Sequence, residues 1–215
     1  MPSFFEILNQ LQGISRVLAV GGLLLAGSVM VLVRDWRASL LALLTQYLLA
    51  GFVLTRLVLP ELALIKVLVG ALVCPMLYLA ARQAGWRIQP GKLVRVAENG
   101  IFPGGPAFRL LAVTLMTVLA VALNRTFPLP VVPPDVGLAS YWLMLHGLLI
   151  LMLTEEPLKA GQGLLMAIIG FELLYTLIEP SLALVWFWAA INLLVTLAIA
   201  YLAVARSAGS SEGDV

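Results

Sequence analysis

Residues 161–180 read GQGLLMAIIGFELLYTLIEP, and this stretch decides what kind of protein the chain is. Its first eighteen residues carry one charge, Glu172, before Glu179 and Pro180 close the run. A bilayer's hydrocarbon core takes about 20 apolar residues to cross as a helix, so the stretch has the length of a span and no charged face for water. Working outward, uncharged runs of similar length recur between charged, Pro or Gly punctuation. Residues 17–33 stop at Arg34-Asp35-Trp36-Arg37, and 38–55 stop at Arg56. Residues 62–81 follow Pro60-Glu61, contain Lys66 and Pro75, and end before Arg82. Residues 110–124 are short for a crossing and lead into the Pro-rich FPLPVVPPD. Residues 136–154, 161–178 and 182–204 complete the set. The pattern predicts an all-α membrane protein of seven transmembrane helices arranged 3+1+3.

Composition agrees. The 215 residues are 62% hydrophobic and 11% charged, with mean hydropathy +1.05, whereas soluble domains carry about a quarter charged residues. One cysteine, Cys74, excludes an internal disulfide and any cysteine-ligated cluster, so no cofactor or metal is expected. The net charge of +2 reports loop topology here and not a nucleic-acid partner. The N-terminal MPSFFEILNQLQGISR has no basic n-region and no small-residue cleavage site, and is expected to remain in the mature protein.

The chain divides into an N-terminal three-helix half (1–81), a polar loop (82–109), a linker helix with a Pro-rich loop (110–135), a C-terminal three-helix half (136–206) and a tail expected to be disordered (207–215). With seven spans, one side collects Arg16, Arg56 and Arg125, and the other Arg34, Arg37, Arg82, Arg87, Lys92, Arg95, Arg109, Lys159 and Arg206. Basic loops stay in the cytoplasm, so the N-terminus is expected outside and the C-terminus inside.

An ionisable residue at membrane depth costs a few kcal/mol, about 3 on insertion scales, and must face protein or water. Glu172 and Lys66 are such residues, although Lys66 could snorkel to the surface. His146, Gln46 and Asn192 lie at similar depth in their own spans, so five helices offer polar groups near one plane, as a lateral proton path would need. Each has a plainer reading. Gln46 and Asn192 serve as interhelical hydrogen-bonding glue, and His146 as a structural side chain. Glu179, on the face of Glu172 one heptad on, reads as the exit of a path or as a solvated cap. Trp142 and the Trp186-Phe187-Trp188 cluster read as interfacial anchors, and Gly161, Gly163 and Gly170 as points of close helix approach. No nucleophile–base pair, phosphate loop or metal-ligand cluster appears, so the chain is not expected to hold a catalytic centre of its own.

The stretch around Glu172 resembles the middle helix of the K subunit of respiratory complex I and of the related C subunit of Mrp-type cation/proton antiporters, which carry an Ile-Gly-Leu-Glu-like motif. The whole chain is similar to component E of hydrogenase-4 and related membrane-bound hydrogenases, which precede a K-like half with extra helices. Gln46, Lys66 opening a run that ends Tyr78-Leu79-Ala80-Ala81-Arg82, His146 before a Leu-rich helix, and Glu172 carry that similarity. Where the K subunit has a second relay glutamate, this chain has Asn192, which cannot carry a proton.

The resemblance implies a non-redox subunit of a complex I-like or hydrogenase-type oxidoreductase assembly in a bacterial or archaeal cytoplasmic membrane, moving protons or sodium beside antiporter-like subunits. Glu172, Lys66 and His146 are then the proton-relay candidates, and Gln46, Asn192 and Glu179 their polar partners in the membrane. The alternatives are a structural adaptor that assembles partner subunits, an Mrp-type antiporter subunit, and a stand-alone transporter.

Overall fold

A computed structural model describes residues 4–33, 35–57, 60–84, 106–129 and 132–212. The regular elements among them are seven helices: α1 (Phe4–Leu32), α2 (Trp36–Leu57), α3 (Pro60–Gln83), α4 (Pro106–Thr126), α5 (Pro134–Leu153), α6 (Pro157–Ile178) and α7 (Leu182–Glu212). Six of them are long and apolar enough to cross a bilayer, which points to an integral membrane protein. In α1 the described apolar segment is shorter, Leu18–Leu32.

Proline opens four of the helices, α3 through α6. Its missing N–H is one of the unpaired donors of a first turn and its φ is already helical, so it starts a helix at no cost. The fourth span is a case in point. The sequence reads as a short run from 110, but α4 begins at Pro106 and its apolar segment is Ala107–Thr126. Arg109 therefore sits inside the helix and does not delimit it, as a long side chain near a helix end can.

The C-terminus also differs from expectation. The helix of the last span continues past Arg206 to Glu212, where the sequence reads as a disordered tail. Extending the helix keeps the carbonyls at the end of the span bonded, and nothing in SAGSSE forces it to stop. Residues 213–215, and 85–105 of the expected polar loop, lie outside the described residues.

Helix α1 packs on α2 and α2 on α3; α5 packs on α6 and α6 on α7. The two triplets meet helix by helix, α1 on α5, α2 on α6 and α3 on α7. Helix α4 rests mainly against α5 and leaves Leu111, Leu115 and Val118 exposed. Leu23, Leu43, Tyr47, Leu77, Leu143 and Met166 are fully buried between the triplets and within them.

Helices α5 and α6 meet backbone to backbone, and glycine permits it. A Cβ on Gly147 would stand 2.5 Å from the Gly163 carbonyl oxygen, and one on Gly170 would stand 2.7 Å from that of Ser140. Gly161 does the same against α7, where a Cβ would stand 2.5 Å from Ile199. Between helices already in lipid there is little hydrophobic drive, so backbone contact and dispersion supply the association.

Two substitutions test this. Gly147→Val forces backbone against backbone and is expected to lower stability by about 3 kcal/mol or to prevent folding. Gly21→Ala, where a Cβ meets nothing within 4 Å, is expected to be neutral or to gain up to about 1 kcal/mol from helix propensity. Thermal unfolding of the two variants in nanodiscs measures the contrast.

Candidate functional site

Lys66 lies one turn into the apolar part of α3, and it turns inward; it does not snorkel. Lys66 is 6% exposed and Glu172, from α6, is 4% exposed. The two form an ion pair between Nζ and Oε2. The other carboxylate oxygen, Oε1, accepts a hydrogen bond from Asn192 Nδ2 of α7 at 2.7 Å. Asn192 Nδ2 also donates to the Trp188 carbonyl one turn back, at 2.9 Å. The amide is oriented by its partners, because a carboxylate can only accept. That leaves Asn192 Oδ1 to accept from the Tyr47 hydroxyl of α2 at 2.7 Å. Lys66 Nζ stands 5.4 Å from the centroid of the Tyr47 ring, within cation–π range.

Four helices, two from each triplet, thus contribute one group apiece to a closed polar chain in an apolar bundle. A small cavity of about 20 Å³ adjoins it, lined by Lys66, Glu172, Thr176, Trp188 and Asn192 among others. That is room for about one water. Glu172 is six residues short of Ile178 and fifteen past Pro157, which by helix rise is about 9 Å from one end of α6 and about 22 Å from the other. The site therefore lies about 7 Å from the middle of α6, displaced toward the Glu179 end.

Not every expected residue joins it. His146 is fully buried but works elsewhere: its Nδ1 donates to the Trp142 carbonyl at 2.9 Å, and its ring stacks on the Trp142 indole at 3.7 Å between centroids. Trp142 Nε1 donates to Thr117 Oγ1 of α4 at 3.1 Å, and His146 Nε2 lies 3.5 Å from the same oxygen. This group clamps α4 to α5, which is the structural reading of the histidine. Trp142 is correspondingly buried, at 3% exposure, and is not an interfacial anchor. An indole N–H with a hydroxyl partner inside the bundle does not need the bilayer surface.

Gln46 is buried beside Tyr47 but outside the chain of bonds, and neither of its amide atoms has a hydrogen-bond partner among the described residues. Glu179 is exposed at the C-terminus of α6, its N–H donating to the Tyr175 carbonyl at 3.0 Å, which fits a solvated cap. Trp186 and Phe187 are exposed as anchors would be, whereas Trp188 turns toward the site.

Two features go beyond what the sequence pattern shows. Tyr47 is the first; its signal in the sequence is a hydroxyl in the middle of an apolar span, next to Gln46. The second is a buried cluster at the other end of α6. Lys159 Nζ donates to the Val33 carbonyl at 2.6 Å and to Ser39 Oγ at 3.2 Å, and Ser39 donates to Gln162 Oε1 at 2.5 Å. Lys159 reads as a loop charge, yet it is the third residue of a helix opened by Pro157 and is 8% exposed. It covers a carbonyl at the C-terminal end of α1, where a cation is favoured.

In comparisons with protein-family models, curated proteins and solved structures, nothing matches this chain. The chemistry available to the site is therefore read from its own groups: a carboxylate that can hold a proton, an ammonium that balances its charge, and an amide and a phenol that pass hydrogen bonds across the bundle.

Removing one member of a buried ion pair strands the other, at a cost of about 3–5 kcal/mol, while replacing both by apolar groups is often neutral. Lys66→Met is expected to show that loss, and Lys66→Met with Glu172→Met to recover most of it, in equilibrium unfolding from bicelles. Tyr47→Phe removes one hydrogen bond and is expected to cost about 1 kcal/mol in the same assay.

Proposed function

We propose that the chain is a non-redox membrane subunit of a complex I-like, hydrogenase-type assembly and contributes to proton or sodium translocation beside antiporter-like subunits. The observation that carries the reading is the Lys66–Glu172 pair, buried where membrane-crossing helices of both triplets meet. An ionisable pair at such depth is expensive, and in membrane proteins it marks ion handling by default. Glu172 is the proton-exchanging group. When it takes up a proton, Lys66 loses its counter-ion, and the ammonium becomes a positive charge that drives a proton from a neighbouring group. Asn192 ties the carboxylate to Tyr47 without competing for the proton. His146, held by Trp142 and Thr117, positions α4 and is not a relay member in this scheme.

In the same reading all seven helices cross the membrane in a 3+1+3 order, with the N-terminus outside and the Lys159 end of α6 on the cytoplasmic side. The host is a bacterial or archaeal cytoplasmic membrane, and electron transfer belongs to partner subunits. The resemblance to component E of hydrogenase-4 and to the complex I K subunit supports this placement.

A second reading has an observation of its own. Ser39–Gln162, Tyr47–Asn192 and Lys66–Glu172 each join a helix of one triplet to a helix of the other, as they would in a structural adaptor whose polar groups only lock helices. Glu172→Gln in the intact assembly separates the two. If Glu172 moves protons, electron transfer persists and coupled ion movement is lost; if the chain is an adaptor, ion movement is unchanged and only deletion of the chain prevents assembly.

A further inference from the structure

We propose that Gln46 and Gln162 hold a narrow hydrated path that carries protons, and not sodium, from the Lys159 end of the bundle to Glu172 along the seam between α2 and α6. The inference rests on the reading of Glu172 as a proton-exchanging group and deepens it by naming the ion and its side of entry.

Helices α2 and α6 run in the same direction. Ser39 bonds to Gln162 at one level, and Tyr47 reaches Glu172 through Asn192 at another. The two levels are eight residues apart on α2 and ten apart on α6, about 12 and 15 Å by helix rise. Gln46 follows Ser39 by seven residues and so lies on the same stripe of α2, about 10 Å further along. It lies at the Glu172 end of the interval between the two polar clusters, one residue before Tyr47.

The amides point to water. Gln46 and Gln162 are both 0% exposed. Among the described residues, Gln46 Nε2, Gln46 Oε1 and Gln162 Nε2 have no hydrogen-bond partner. Buried amides are almost always paired, and where protein groups are out of reach an internal water does the pairing. Inside an apolar bundle the penalty for leaving them unpaired is larger still. Two such side chains on one seam, one bonded at the mouth to Ser39 and the other a residue from Tyr47, are satisfied together by a file of water. Glu172, where the path ends, also lines a cavity with room for about one water.

Primary amides suit this task because each both donates and accepts, so it orients neighbouring waters without trapping a proton. The seam is poorly suited to sodium. Gln46 Oε1 is its one amide oxygen not already bonded, since Gln162 Oε1 is held by Ser39. A metal cation needs several oxygens to replace its hydration shell.

The test uses the full chain with Cys74→Ala in nanodiscs and follows the exchange of a single thiol from S–H to S–D in D₂O by its infrared stretch, which needs water and no cation. Gln46→Cys is expected to exchange about tenfold faster than Ala139→Cys, equally buried on α5. Gln162→Met, nearer the Lys159 end, is expected to slow exchange at Gln46→Cys. Equal rates at the two cysteines, or no effect of Gln162→Met, overturn the path. In the intact assembly Gln46→Met, which keeps volume and removes the amide, is expected to lose proton flux and to leave electron transfer in place. Loss of flux in Glu172→Gln with none in Gln46→Met overturns the path alone, whereas silence of both variants overturns the path and the role of Glu172 together. Sodium-driven flux that survives without a proton gradient overturns the choice of ion.

Discussion

Everything in this bundle depends on one constraint: a polar group surrounded by hydrocarbon must find its partner within the protein or in water the protein encloses. Lys66 and Glu172 meet it with each other, and neither could occupy its position alone. The pair then imposes conditions on the helices around it. Helix α3 must present its Lys66 face to α6, α7 must bring Asn192 alongside, and α2 must stand close enough for the Tyr47 hydroxyl to close the chain. The arrangement of two triplets, facing each other helix by helix, satisfies all of these at once.

The same constraint explains the division of labour between glycines and polar side chains. Gly147, Gly163 and Gly170 let α5 and α6 touch backbone to backbone, which gives Glu172 a firm platform without spending polar groups on that contact. Polar side chains are placed instead at junctions between triplets and at the edge where α4 joins. There the Thr117, Trp142 and His146 group holds an otherwise lipid-facing helix. Lys159 does a comparable service at the end of α1, covering a carbonyl the helix leaves unpaired.

Much of the fold was legible because membrane helices are written in long apolar runs, and proline marks their starts almost as clearly as charge marks their stops. At Pro106 and past Arg206 the helices extend beyond the charges that bound their apolar runs, because a long basic side chain can leave the bilayer while its backbone stays helical. The site was legible in part. Glu172, Lys66 and Asn192 stand out as polar residues in apolar spans, whereas His146 looks identical by that criterion and belongs to another contact. Tyr47 and Lys159 do not stand out in the sequence, because an aromatic in a span and a lysine near a helix end are each ordinary.

The sequence by itself determined that the chain is helical, apolar enough for a bilayer, and furnished with a few groups that a bilayer would not tolerate unpaired. Burial cost is a property of residue type and local run, and it can be read one helix at a time. Only the tertiary structure decided which of those groups meet. Helical rotation selects the neighbour of each side chain, and periodicity in a nearly uniform apolar run leaves that rotation undetermined. The contacts between triplets supply it, turning Lys66 and Glu172 toward each other and His146 toward α4.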